Sequence, residues 1–482
     1  MNLFIPTASA INPVSGRISN IVLVVILTIS GLITTGCRTW RSEEKPNFVI
    51  IYCDDLGYGD LGCFGSELNR TPAIDRMADE GTCFTSFYVT SGVCTPSRSS
   101  LMTGCYPLRV GMDENSKGFW VLFPGDSKGL NPEEETIAEV LKAQDYMTAC
   151  IGKWHLGDQP VFLPNNQGFD YYFGIPYSND MGDERGSGNP PLPLLRNMQI
   201  IEAPVNQSTI TQRYTAEAIS FIKQNRKKHF FLYLPHTMPH YPLNSGVAFS
   251  GKSKNGKYGD AIEEIDWSTG QILNALRELG LDRNTMVVFT SDNGATRSGS
   301  NAPFSGGKCG IMEGSMREPC VMWWPGHIPS GETSDELVTV MDLLPTMAHL
   351  SGGELPGDRV IDGKDITSLV LGEPGAKSPH EVFYYYFMSQ LQAVRSGKWK
   401  LFLPMEERQY GWTRKRQVAE AELFNLETDP AELVNLIDSY PGVAQRLMEY
   451  AEQARADIGD YLREGENARP AGIEEHPVFL VN

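Results

Sequence analysis

The sequence predicts an α/β domain built on a mainly parallel sheet flanked by helices, followed by a smaller second domain. Short apolar runs that end in polar clusters predict the sheet, and amphipathic helical segments between them predict its covering. The length of 482 residues is too great for one ordinary core and predicts the second domain.

The first run, NFVIIY at 47–52, is apolar and β-branched and stops at Cys53-Asp54-Asp55-Leu56-Gly57. TPAIDRMADEG and EEETIAEVLKAQ follow with helical spacing, and MTACIG then precedes Lys153-Trp154-His155. QRYTAEAISFIKQN gives another helix, after which FFLYLP precedes His236 and His240. AIEEIDWSTGQILNALRELG is a long helix, and TMVVFTS precedes Asp292-Asn293-Gly294. Fully apolar strands suit a sheet covered on both faces. Ligands of such sheets bind beyond the carboxyl ends of the strands, so the polar clusters are expected to share one site.

The net charge of -18 speaks against nucleic acid, whose phosphates need basic patches. It leaves room for an anionic substrate, since a few cations in one cleft can focus a positive field. At the N-terminus, Arg17 precedes the apolar residues 21–33 and then Thr34-Thr35-Gly36-Cys37. This run is short of the roughly 20 residues of a spanning helix and reads as an export signal over 1–36. Gly36-Cys37 is similar to a bacterial lipobox, with Thr34 where an aliphatic residue is usual. The expected location is periplasmic or cell-surface, with a lipid anchor at Cys37 as one form and simple secretion as the other. Residues 37–46 then serve as a tether. The cysteine count of 9 is odd, so at least one is unpaired or modified, and Cys37 and Cys94 are the natural candidates.

Asp54, Asp55, Asp292 and the Asn293 amide form an all-oxygen set, the type that calcium or magnesium prefers. Zinc would want more nitrogen or sulfur. Carboxylates gathered in a dry cleft also repel one another unless a cation neutralises them. Cys94 admits several readings from its residues: a protease-type nucleophile with His155, His236 or His240 as base, a structural thiol, or a modified residue.

The third reading explains more of the surroundings. Cys94-Thr95-Pro96-Ser97-Arg98 followed by SSLMTG matches the sulfatase signature, in which the cysteine is oxidised to formylglycine. The chain resembles the formylglycine-dependent type I sulfatases through PNFVIIYCDDLGYGDLGCFG, CTPSRSSLMTG, GKWHLG, LPHTMPHYPL, SDNG, GGKCGIMEGSMREP and WWPGHIPSGE. FLPNNQGFDYYFGIPYSND and PPLPLLRN resemble the arylsulfatase A branch. The resemblance implies an alkaline-phosphatase-like catalytic domain over 47–377. QAVRSGKWKLFL and AELFNLETDPAELVNLID resemble the strands and closing segment of a smaller C-terminal α+β domain over 378–482.

It further implies a divalent cation, usually calcium and less often magnesium, on Asp54, Asp55, Asp292, Asn293 and the modified residue 94. Arg98 and Lys153 would support the aldehyde hydrate and its sulfate, Lys308 and Ser178 would bind sulfate oxygens, His240 would sit by the leaving oxygen and His155 by the formylglycine. Cations suit this work because the transition state gathers negative charge on oxygen. His236, four residues before His240, competes for its role. One hydroxyl of the hydrated aldehyde attacks sulfur, His240 or Lys308 protonates the departing alcohol, and His155 deprotonates the second hydroxyl to expel sulfate. A formylglycine-generating maturation enzyme is the implied partner, and a sulfated small molecule or carbohydrate the implied substrate. Pro96 is expected to fix the chain so that Ser97 and Arg98 start a helix. Two other readings stay open: a phosphodiesterase or phosphonate ester hydrolase using the same metal cluster, and a metal-stabilised surface binding protein with an unmodified Cys94.

Overall fold

The computed structural model describes residues 45–183, 186, 188–411 and 413–481, and the side chains of 413–416 lie outside the description. The leader, the lipobox cysteine Cys37 and most of the tether fall outside the described residues. Those described belong to one compact unit, Glu44–Asn482.

The four strands expected from the sequence form in place, and further strands join them. In chain order they are β1 (Asn47–Cys53), β2 (Thr82–Tyr88), β3 (Lys128–Gly129), β4 (Met147–Ile151), β5 (Tyr171–Gly174), β6 (Leu194–Arg196), β7 (Gln199–Glu202) and β8 (Phe230–Pro235). β9 (Thr285–Ser291), β10 (Arg317–Trp323), β11 (Glu332–Ser334) and β12 (Val338–Thr339) complete this part of the chain, and β1, β4, β8 and β9 are the four expected. All except β3 join one 11-stranded sheet in the order β11-β2-β10-β9-β1-β8-β4-β5-β6-β7, with β12 on β2. The centre from β9 to β5 is parallel, whereas β10 runs antiparallel to β9 and β2, and β6 and β7 close one edge as a hairpin.

Helices cover both faces, which is why β1, β8 and β9 are buried along their whole length and mostly apolar. Val49 and Ile51 of β1 share a core with Ile74 and Met77 of α1 (Pro72–Asp79). On the alternate face, Tyr52 hydrogen bonds Ser97 of α2 (Cys94–Thr103) at 3.0 Å. α3 (Ile137–Lys142) opens with a Thr136–Glu139 capping box, the expected N-terminal device. α4 (Ile210–Asn225) and α5 (Gly256–Glu278) pack on each other and join the Val49 face through Ala218, Ile222, Ile262 and Ile265. α6 (Glu313–Met316) leads directly into β10, and α7 (Leu343–Ser351) packs against α2 and α3 ahead of α8 (Thr367–Val370).

Beyond residue 380 the chain builds a smaller antiparallel sheet. β13 (Phe383–Phe387), β14 (Gln390–Ser396) and β15 (Trp399–Phe402) pair in turn. A hairpin of β16 (Met405–Tyr410) and β17 (Thr413–Ala419) precedes β18 (Glu422–Asn425), which pairs with β15. α9 (Pro441–Asp457) packs on β14 through an apolar stripe of Ala444, Leu447, Ala451 and Ala454. The architecture is thus the alkaline-phosphatase-like α/β fold with a smaller C-terminal α+β part.

Candidate active site

Adjacent parallel strands in matched register bring their carboxyl ends to one level: Tyr52 of β1 is opposite Pro235 of β8, and Cys53 is opposite Ser291 of β9. Asp54 and Asp55 leave β1, Lys153 and His155 leave β4, Ser178 follows β5, His240 follows β8, and Asp292 and Asn293 leave β9. Cys94 is the first residue of α2 and Arg98 lies one turn on. The helix therefore begins three residues before the expected Ser97: Val93 is its N-cap, and Pro96 occupies a first-turn position whose N–H would have no helical partner anyway. Lys308 comes from the segment before α6. All of these residues are buried except Lys308, which is half-buried as a residue with its side chain nearly covered.

One bonded cluster results. Lys153 Nζ donates to Asp54 Oδ2 at 2.7 Å and lies 3.3 Å from Ser178 Oγ. Arg98 Nη2 donates to Asp292 Oδ2 at 2.7 Å and Arg98 Nη1 to the Lys153 carbonyl at 3.0 Å. Lys308 Nζ and Asn293 Nδ2 both donate to the Asp55 carboxylate, at 2.9 and 2.7 Å. His240 Nε2 stands 3.7 Å from Asp55 Oδ2. His236 faces elsewhere, with Nε2 3.5 Å from Ser268 Oγ of α5, and burial pushes it down to about 4.

Cation binding has a specific footing in unpaired oxygen. Ligand atoms of Asp54, Cys94 and Asp292 lie within 4.8 Å of one another, as do those of Asp54, Asp55 and His240. Asp54 Oδ1, which faces Arg98 Nη2 at 3.7 Å, and Asn293 Oδ1 are buried without a hydrogen-bond partner among the described residues, and such oxygens are costly unless something satisfies them. Repulsion among the carboxylates is partly relieved without a metal, because Arg98, Lys153 and Lys308 already face them. Burial alone would raise the Asp54 carboxyl, yet Lys153, His240, Arg98 and Lys308 hold it well below the usual range. Burial and then the Asp54 charge push Asp292 up to about 7. The donor set, oxygen-rich with a residue-94 atom at its edge, fits a hard cation.

Burial raises the Cys94 thiol, with Lys153 and Lys308 opposing. A neutral thiol is a poor nucleophile, which disfavours the protease-type reading. Burial and the Lys153 charge hold His155 well below its ordinary value. Its Nε2 lies 3.0 Å from the Leu122 carbonyl, which can only accept, so Nε2 carries the proton. Nδ1 is then a buried lone pair with no partner among the described residues. His240 Nδ1 faces the Tyr241 carbonyl at 2.6 Å and Asn179 Oδ1 at 2.8 Å, and burial, then Lys308, lowers its basicity. Asp55 and His155 sit at left-handed φ values of 65° and 63°, conformations that surrounding structure must enforce.

Asn179 and Leu122 complete the site and were not singled out by sequence. Asn179 stands beside Ser178 in the quoted PYSND and so lay within sight. Leu122 acts through its carbonyl, and side-chain identity gives no signal for that.

Residues 46–353 match the sulfatase family, and residues 307–457 match the C-terminal domain of N-sulphoglucosamine sulphohydrolase. The chain is 40% identical over 397 residues to N-acetylgalactosamine-6-sulfatase of Sus scrofa, covering 78% of this chain and 74% of that protein. It is 37% identical over 449 residues to arylsulfatase A of Homo sapiens, covering 85% of this chain and 87% of that one. Among solved structures, Ps i-CgsB in complex with k-i-k-neocarrahexaose is 28% identical with a TM-score of 0.73, covering 85% of this chain and 92% of that one. The chain belongs to the sulfatase family and is an enzyme that hydrolyses sulfate esters.

Proposed function

We propose that this sulfatase is exported and removes sulfate from a carbohydrate, using a formylglycine made from Cys94 and a calcium ion on Asp54, Asp55, Asp292, Asn293 and residue 94. The observation that carries the reading is the pair of oxygens, Asp54 Oδ1 and Asn293 Oδ1, buried without a hydrogen-bond partner among the described residues, in a cluster that also holds Cys94 at the head of a helix. Held by these residues, a cation would supply Lewis acidity beside residue 94. Formylglycine supplies, as its hydrate, one hydroxyl to attack sulfur and a second to release sulfate.

The chain's own groups do the rest. Lys153, Lys308 and Ser178 bind the sulfate oxygens, and Arg98 fixes Asp292 and the Lys153 backbone beside them. His155 takes a proton at Nδ1, the one ring nitrogen its hydrogen bonding leaves basic. His240 Nε2 lies by the leaving oxygen and can donate only as imidazolium, because Nδ1 already holds the neutral ring's proton. Burial and Lys308 oppose that form. Lys308, kept charged by Asp55 against the effect of burial, is therefore the donor to the departing alcohol.

The carbohydrate assignment draws on the sugar named in the Ps i-CgsB structure and on the sugar sulfatase among the relatives. The same reading includes a leader over 1–36, a tether over 37–46 with a lipid on Cys37, a catalytic domain over 47–377 and a second domain over 378–482. It also requires a formylglycine-generating enzyme in the host. Peptide mass spectrometry across Cys94 on protein from its own host, paired with a screen of defined sulfated sugars, tests the proposal. Conversion to formylglycine with sulfate released from a sugar is expected. Full turnover on an unmodified thiol would overturn the mechanism, and hydrolysis of a sulfolipid with none of any sugar would overturn the substrate class.

A further inference from the structure

The smaller sheet reaches into the segment that carries Lys308. Lys400, at the middle of β15, is wholly buried. Its Nζ donates to the Ile311 carbonyl at 2.8 Å and to Glu313 Oε1 at 3.1 Å, and pairs with Glu432 Oε1 at 2.7 Å. The same ammonium lies 3.9 Å from the centroid of Tyr385. Glu313 opens α6: its N–H donates to Glu432 Oε2 at 2.8 Å, and its Oε1 also accepts from Tyr385 Oη at 2.8 Å. Tyr88 of β2 donates to Glu313 Oε2.

The segment held in this way touches the site at several points. The Cys309 N–H donates to the Gly92 carbonyl at 2.8 Å, two residues before Cys94. The Lys308 N–H donates to the Ala295 carbonyl at 3.1 Å, two residues after Asn293. Cys309 itself is left-handed, with φ 65°, so this turn persists only because its surroundings over-determine it. A buried ammonium between two buried carboxylates is costly to desolvate, and apolar packing would join two sheets at least as well. Its bond to a main-chain carbonyl three residues from Lys308 gives it a task that apolar packing cannot perform.

We propose that Lys400 is a positioning residue for sulfate binding: from the C-terminal sheet it fixes the 308–313 turn and so aims Lys308 at the substrate. This rests on the reading of Lys308 as a sulfate-binding cation. The C-terminal sheet then helps to complete the catalytic centre.

The test uses the mature enzyme and its Lys400→Met, Lys400→Arg, Lys308→Ala and Lys400→Met/Lys308→Ala forms. The inhibition constant of inorganic sulfate, KM, kcat and the thermal midpoint are measured for each. Lys400→Met is expected to weaken sulfate inhibition by about 10-fold, the order of loss that follows a small misplacement of a binding group. Lys400→Arg should recover part of the loss, and Lys400→Met should add nothing in the Lys308→Ala background. An equal further loss in that background would overturn the positioning role, as would unchanged sulfate inhibition in Lys400→Met. Unchanged sulfate inhibition in Lys308→Ala would overturn the reading of Lys308, and this inference with it. If Lys400→Met does not fold, Glu432→Gln, which keeps the ammonium and removes one anchor, enters the same cycle with the same expected outcomes.

Discussion

Asn179 Oδ1 lies 2.8 Å from His240 Nδ1, so the ring beside Asp55 is steered by the residue next to Ser178. Asn179 is in turn fixed: its Nδ2 donates to Gln207 Oε1 at 3.1 Å and the Gln207 amide donates back to the Asn179 carbonyl at 3.0 Å. Partners of this kind set ring orientation and tautomer. Asn179→Leu is expected to lower kcat/KM by about 10- to 100-fold with a normal circular dichroism spectrum. Kinetics on an aryl sulfate would check this, and wild-type kcat/KM in the variant would show that the Tyr241 carbonyl alone orients His240.

Gly152, at the start of the lysine and histidine motif, has φ 144°, and a Cβ there would meet the Pro235 carbonyl oxygen at 1.8 Å. A further Cβ on Gly174 would meet the Gly152 carbonyl oxygen at 1.7 Å. The strand ends that carry Lys153, Ser178 and His240 are therefore pressed together at glycines. Gly152→Ala is expected to cost roughly 3 kcal/mol of stability and most of the activity. A urea midpoint and a turnover assay equal to wild type would contradict the close-approach argument.

The strands and the site clusters were legible because each fully apolar run ends at the residues that do chemistry, and a parallel sheet puts those ends together. Two things were not. The start of α2 at Cys94 depends on Val93 adopting an extended N-cap conformation, which no side-chain preference announces. The counter-charges on Asp54, Asp55 and Asp292 come from residues about 100 to 250 positions away in sequence, and only the fold shows that they arrive at the carboxylates. The same distance effect hid Lys400, a residue of an ordinary-looking strand whose ammonium ends under the Lys308 segment.

Asp54 Oδ1 and Asn293 Oδ1, buried without a hydrogen-bond partner among the described residues, predict that removing divalent cations destabilises the folded enzyme as well as silencing it. A cation that binds only the native state stabilises it by mass action, about 2.7 kcal/mol at 100 times its dissociation constant. Chelation is expected to lower the thermal midpoint by several degrees, and calcium should restore it at lower concentration than magnesium, whose strict octahedral geometry suits a shared cluster less well. A midpoint indifferent to chelator and to both ions would remove the metal from the proposed site.

His236 gives a prediction of opposite character, because its role is in the fold. It is completely buried, and burial alone brings it from 6.5 down to about 4. The folded state therefore refuses a proton that the unfolded chain accepts between those values. Its contribution to stability is whole above pH 6.5 and is lost as the pH falls towards about 4, by up to about 3 kcal/mol. Other buried groups, Asp292 among them, also titrate in this range, so the comparison must be made against a variant. His236→Gln keeps an amide near Ser268 and removes the titration. Urea midpoints at pH 7 and pH 4.5 are expected to fall further for wild type than for His236→Gln. The same fall in both proteins would mean that His236 is not held neutral by its burial.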